Sequence, residues 1–156
     1  MENEHQYRVV AWWTSGQTGI AKSNSAPNAI HFTAPPEFGG MEGRWTPEDL
    51  LMTALASCFT TTFHAIAGFS KFAYTDLAVE AEATVRKTDS GYGFSEIVIR
   101  PRLTIANEEQ RETAIRLLQK SEGLCLVSRA LAVAPKVEAQ IETKVSKHAS
   151  RVVHVH

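Results

Sequence analysis

The sequence predicts an α+β fold, with antiparallel sheets wrapped around one long buried helix. Two segments carry this. Leu50 to Ala67 contains no Asp, Glu, Lys or Arg, and a helix that is apolar or small nearly all round is buried on several sides. Leu77 to Lys87 alternates apolar and polar residues, the period of a half-buried strand. The full order reads βββ-α-ββ-α-α-β, with strands grouped rather than alternating one by one with helices.

Gln6 to Thr14, rich in Val and Trp, suits a strand. Ser15-Gly16-Gln17-Thr18-Gly19 is a turn, Ile20 to Ser23 the returning strand, and Ala29 to Thr33 a third. Pro35-Pro36 and Gly39-Gly40 mark a loop. Thr46 is then an N-cap with Pro47 in the first helical position and Asp49 closing a T-x-x-D box. Gly68 is placed at C′ of that helix. After the alternating strand, Asp89 to Gly93 turns the chain and Phe94 to Ala106 runs back, with Pro101 suggesting an edge or a bulge. Asn107 caps a helix over Glu108 to Glu122, and Gly123-Leu124-Cys125 breaks it. A short helix over Val127 to Ala132 and a strand over Lys136 to Val145 complete the chain.

At 156 residues the chain can build one core unaided. One domain is placed at 1–145, with 146–156 as a C-terminal tail. Sixteen Lys and Arg against 17 Asp and Glu give a net charge of −1, which argues against a nucleic-acid binder relying on a basic surface. No run of about 18 apolar residues suggests a membrane span. The start, Met1 to His5, lacks a basic and then apolar leader. The cytoplasm is therefore expected, where Cys58 and Cys125 are thiols rather than a staple.

Cys58 lies mid-helix, with Thr61 and Thr62 three and four residues on and so on its face. Their hydroxyls could stabilise a thiolate or orient a substrate oxygen. Without that use, Cys58 is a small core residue, as a buried cysteine usually is. Cys125 follows a helix break and starts the next segment, where a cysteine is expected to be partly exposed with a lowered pKa. His64 is six residues past Cys58, about 9 Å along the axis and on another face, which makes it a poor base for that thiol. His154 and His156 read as a solvated tail rather than a metal site, and no metal or other cofactor is expected. No C-x-x-C, P-loop or dinucleotide fingerprint occurs.

Thr46-Pro47-Glu48-Asp49-Leu50-Leu51, Ala54-Leu55-Ala56-Ser57-Cys58-Phe59 and Cys125-Leu126-Val127-Ser128 resemble the OsmC/Ohr family, the osmotically inducible and organic hydroperoxide resistance proteins. Pro36-Glu37-Phe38-Gly39-Gly40 is similar to the Ohr branch. The resemblance spans nearly the whole chain. It implies an intertwined homodimer and a thiol peroxidase for organic hydroperoxides, recharged by a dithiol such as a lipoylated protein. Cys58 matches the peroxidatic cysteine, Cys125 the resolving one and Glu48 the active-site carboxylate. Trp45, Thr61 and Thr62 are placed in the substrate pocket.

Two positions depart from the family pattern. The Arg that Ohr-type members carry in the first hairpin turn is replaced by Gln17, which can hydrogen-bond but brings no charge. Arg44, or less well Lys22, would have to supply the cation. Leu126 stands where the family usually has Pro. An alternative reading keeps the fold but makes the chain a binder of small apolar or electrophilic molecules with little or no turnover. A third makes it a structural dimer with incidental cysteines. Glu48 and Cys58 lie ten residues apart on one helix, about 15 Å along its axis. Glu48 could therefore serve only the Cys58 of a partner subunit.

Overall fold

A computed structural model describes residues 3–144 and 151–155. The chain forms two compact units, Met1–Leu51 and Met52–His156, described in turn.

In the first unit, β1 (Val9–Ser15), β2 (Thr18–Ser23) and β3 (Ala26–Phe32) form an antiparallel sheet in that order. The first hairpin is tighter than expected: Thr18 and Gly19 belong to β2, and only Gly16 and Gln17 turn, with Gly16 at φ 59°. β3 starts earlier than expected and includes Pro27. All of β1 is exposed, Trp12 and Trp13 included. After a 3-10 turn at Pro36–Phe38, Thr33 N–H donates to the Trp45 carbonyl at 2.9 Å. Buried Thr33 also ties the loop together, its hydroxyl donating to Gln17 O at 2.7 Å and accepting from Met41 N–H at 2.9 Å.

The helix start is as read. Asp49 N–H donates to Thr46 Oγ1 (3.1 Å), and Asp49 Oδ2 accepts from Thr46 N–H (3.0 Å). That reciprocal pair satisfies two of the donors a helix N-terminus leaves free. The helix, α1, spans Pro47–Phe69 and passes through Gly68. The left-handed residue is Lys71, at φ 51°. Phe72 N–H donates to Ala67 O (2.8 Å) and Lys71 N–H to Gly68 O (3.1 Å), the bond pair of a Schellman turn. A lysine thus holds the position expected for Gly68, because these two bonds close the helix three residues later.

In the second unit, β4 (Asp76–Thr88), β5 (Gly91–Ile105), β6 (Lys136–Thr143) and β7 (Arg151–Val155) form a sheet in that order. β4 meets β5 antiparallel across a two-residue turn, Asp89-Ser90. β5 and β6 are parallel, so the expectation of purely antiparallel sheets is corrected. The reason is the connection: α2 (Arg111–Leu124) and α3 (Leu126–Ala130) carry the chain back before β6 begins, and such a crossover sets strands parallel. Pro101 lies in this central strand, not at an edge. The β5–β6 pairing is interrupted between Ile99 and Arg102, where the missing proline N–H falls, and the irregularity with β4 lies elsewhere, at Thr84/Val85. β7 lies within the segment read as a tail and pairs antiparallel with β6.

The core joins α1 to this sheet and to α2. Leu55, Phe59, Phe63 and Ile66 of α1 pack with Ile97, Ile99, Leu103 and Ile141 of the strands and Ala114, Leu117 and Leu118 of α2. Truncating Phe59 or Phe63 to Ala costs about 3–5 kcal/mol. α1 is long and apolar enough to cross a membrane by length and composition, a property that a core helix shares. Its opposite face, with Ser57, Thr61 and Ala65, is exposed within this chain, so one chain buries a stripe of α1 and not several sides.

Candidate active site

Within the second unit, the middle of α1 meets the break between α2 and α3. Cys58 is half-buried there and Cys125 fully buried, both as free thiols, and they are neighbours, each shifting the other's acidity. Cys125 is the hinge of the break. Its N–H donates to Ser121 O at 2.9 Å, ending α2, and its carbonyl accepts from Arg129 N–H at 3.1 Å, starting α3. Gly123 and Leu124 remain helical, so Cys125 itself makes the break, with ψ at 113°.

The two thiols are displaced in opposite directions. Burial pushes Cys58 up, but hydrogen bonds from Val127 N–H, the Cys125 thiol, Leu126 N–H and the Thr62 hydroxyl outweigh it and hold the thiol below its ordinary range. These groups all donate, and donation favours the thiolate. For Cys125, burial pushes the thiol up to about 11, only partly offset by a hydrogen bond from Ser128 N–H, while neighbouring Cys58 and Glu122 add to the rise. The expected partly exposed, acidic Cys125 is therefore corrected. The helix start is real, but its first amides point at Cys58, and Cys125 itself is desolvated.

The remaining candidates fall as follows. Thr62 joins the thiol pair. Thr61 is exposed, its hydroxyl donating to the Ser57 and Cys58 carbonyls at 3.0 and 3.1 Å. Gln17 donates to Gly39 O at 2.9 Å, and Trp45 is 51% exposed. Arg44 is exposed in the turn ahead of α1 and has no ion pair among the described residues. Lys22 lies over the Trp12 ring at 5.8 Å. One oxygen of Glu48, Oε2, is buried without a hydrogen-bond partner. His64 bonds the Tyr74 hydroxyl at 2.7 Å. His154 sits exposed on β7 opposite Glu138, and His156 lies outside the described residues. No cluster of metal-ligating side chains occurs among the described residues.

The sequence reading missed the Leu126 and Val127 amides and the acidic residue behind Cys125. Ser128 Oγ donates to Glu122 Oε1 at 2.5 Å, and Glu122 Oε2 is buried without a partner. A carboxylate in the last turn of a helix, where the macrodipole disfavours it, was a signal available in the sequence.

A model of the OsmC-like protein family matches residues 40–140. Among curated relatives, the chain is 26% identical over 145 residues to the uncharacterized protein YmaD of Bacillus subtilis, covering 91% of this chain and 95% of that one. It is 24% identical over 128 residues to the peroxiredoxin OsmC of Escherichia coli, covering 82% and 88%. An organic hydroperoxide resistance protein from Elizabethkingia anophelis has the same fold, with a TM-score of 0.72 at 19% identity over 92% of this chain and 100% of that one. An OsmC-like protein from Vibrio cholerae gives 0.76 at 15% identity over 88% and 99%. The family match over residues 40–140, on a fold shared over 88–92% of the chain with these structures, makes this protein a member of the OsmC family.

Proposed function

We propose that the chain is a thiol-dependent peroxidase that reduces organic hydroperoxides in the cytoplasm through a cycle of Cys58 and Cys125. The neighbouring free thiols, one half-buried on α1 and one buried in the α2–α3 break, with one lowered and the other raised, carry the reading. The Cys58 thiolate attacks the distal peroxide oxygen. The O–O bond breaks, the alkoxide takes a proton and leaves as alcohol, and Cys58 becomes a sulfenic acid. The Cys125 sulfur then attacks the Cys58 sulfur. An S–S bond forms, the S–O bond breaks, and the hydroxyl leaves as water with the Cys125 proton. An external dithiol, such as a lipoylated protein, restores both thiols by exchange. Thr61, Thr62 and Trp45 are proposed to line the substrate pocket. The names of the peroxiredoxin and hydroperoxide resistance relatives support the same class.

The working unit is proposed to be a homodimer. The exposed aromatic face of β1 and the exposed side of α1 support this, since large apolar faces in a single chain mark interfaces. Glu48 would then serve Cys58 of the partner subunit. Mixing Cys58→Ser and Glu48→Gln chains tests this, because one complete site per mixed dimer forms only if Glu48 acts in trans.

A second reading, ligand binding without efficient turnover, is favoured by one observation: Gln17 spends its amide on Gly39 O. One assay separates the two. Consumption of cumene hydroperoxide with dihydrolipoamide, faster than of hydrogen peroxide and faster than with thioredoxin, supports the peroxidase. Stoichiometric binding with no multiple turnover under either reductant supports the binder.

A further inference from the structure

We propose that Gln17 and Thr33 are positioning residues that clamp the loop from Ala34 to Trp45, so that Met41 and Trp45 stand pre-set for the apolar part of an organic hydroperoxide. This deepens the proposed function and rests on its placing of Trp45 in the substrate pocket.

The clamp lies wholly within the first unit. The loop leaves β3 and runs to the start of α1. A long connection of this kind is ordinarily the mobile part of a fold, but this one is tied down throughout. Gln17 Nε2 donates to Gly39 O at 2.9 Å, across 22 residues of sequence. The Gln17 carbonyl accepts from Thr33 Oγ1 at 2.7 Å. Thr33 Oγ1 in turn accepts from Met41 N–H, and Thr33 N–H donates to Trp45 O, both at 2.9 Å. Within the loop, Phe38 N–H and Gly40 N–H donate to Pro35 O at 2.9 and 3.1 Å. Gly40 packs so close to Ala34 that a Cβ would lie 1.6 Å from the Ala34 carbonyl oxygen. Thr33 is fully buried, so removing its hydroxyl would leave the Met41 amide without its acceptor. Gln17 is exposed at the tip of the first hairpin, and its bond to Gly39 is the outer tie.

This order does not serve to bury the apolar side chains of the loop. Phe38, Met41 and Trp45 remain 50, 39 and 51% exposed. Fixing the backbone beneath them costs conformational entropy and hides little apolar area within the unit. Side chains held in this way bind a ligand with little further ordering, which is what preorganisation contributes to affinity. Met41 and Trp45 hang from the same buried threonine, so Thr33 sets the spacing of their backbones. An indole and a thioether suit an aryl or branched alkyl group rather than the peroxide oxygens. Gln17, its amide committed to Gly39, acts on specificity through the loop.

The test uses the full chain carrying Cys58→Ser, so that a hydroperoxide binds without turnover. Calorimetry gives Kd for cumene hydroperoxide and for the smaller tert-butyl hydroperoxide, and hydrogen–deuterium exchange over residues 34–45 reads the loop. Gln17→Glu keeps the shape but faces Gly39 O with an acceptor in place of the donor. Loop exchange is expected to quicken, and Kd for cumene hydroperoxide to rise about 3- to 10-fold. Kd for tert-butyl hydroperoxide should move less, so the preference for the larger ligand shrinks. Thr33→Val should act in the same direction, and Thr33→Ser, which keeps the hydroxyl, should bind like the parent. If the valine chain fails to fold, Gln17→Glu, on the exposed hairpin tip, carries the test. Faster exchange with an unchanged preference overturns the proposal, because the ties would then be structural alone. Unchanged exchange overturns it too, as does a parent chain that does not bind cumene hydroperoxide. So does a change confined to the association state in sedimentation, which would turn the loop toward another copy of the chain. A chain with Cys58 intact that binds cumene hydroperoxide without consuming it would defeat the peroxidase reading and leave this result standing.

Discussion

Cys58 and Cys125 are neighbours yet sit in opposed surroundings. Cys58, on the side of α1, receives two backbone amides, a thiol and a hydroxyl. Cys125, in the break between two helices, is fully buried, receives one amide and has a carboxylate behind it. Donors without a cation are enough to lower a half-buried thiol, and burial with an adjacent negative charge is enough to raise the other. The asymmetry separates attack from resolution, since the lowered thiol is the better nucleophile at neutral pH.

The largest test of that division removes each sulfur in turn. Cys58→Ser is expected to cut hydroperoxide consumption by on the order of 10³-fold or more. Cys125→Ser should still form one sulfenic acid per chain, detected by dimedone labelling and mass spectrometry, and then stop. Equal labelling of Cys125 in the Cys58→Ser chain would break the comparison.

Replacing one donor sharpens it. Thr62→Val keeps the shape and deletes a hydroxyl that favours the Cys58 thiolate. Alkylation of Cys58 by iodoacetamide at pH 7 should slow by about 3- to 10-fold, with its pH midpoint moving up.

The next effect is on stability. Half-burial raises Glu122 above the ordinary 4.5, partly offset by Ser128. The fold therefore favours the protonated form. That contribution is complete below the carboxyl's unfolded value and is lost as pH rises through the folded one. At pH 7 the charge is a cost, so Glu122→Gln should raise Tm by about 2–4 °C there. At pH 4 the gain should shrink, as calorimetry at both values would show. The smallest effect is expected from Arg44→Met. An exposed guanidinium is screened by solvent and salt, so Cys58 alkylation should slow by less than about 2-fold. A larger loss would return the cation to the site.

The sequence by itself determined the order of strands and helices as far as β6 and the Thr46–Asp49 cap, whereas the pairing of Cys58 with Cys125 was only what the family resemblance implied. Periodicity, capping residues and motif spacing are local, and each leaves its mark in neighbouring residues. It did not determine that Lys71 rather than Gly68 turns the helix end, that β5 and β6 run parallel, or that β7 extends the sheet. The strand pairings depend on bonds between segments far apart in the chain, and the Lys71 end on which of several nearby residues takes the left-handed turn. The thiol environments divided in the same way. Cys125 was legible as the start of a short helix, but the target of that helix's first amides was not, because a backbone N–H carries no sequence signature. Tertiary packing brought α1 against the α2–α3 break, aimed Leu126 and Val127 N–H at Cys58, and excluded water from Cys125. A thiol's acidity is set by the donors and solvent that reach its sulfur, and only the packed chain fixes either.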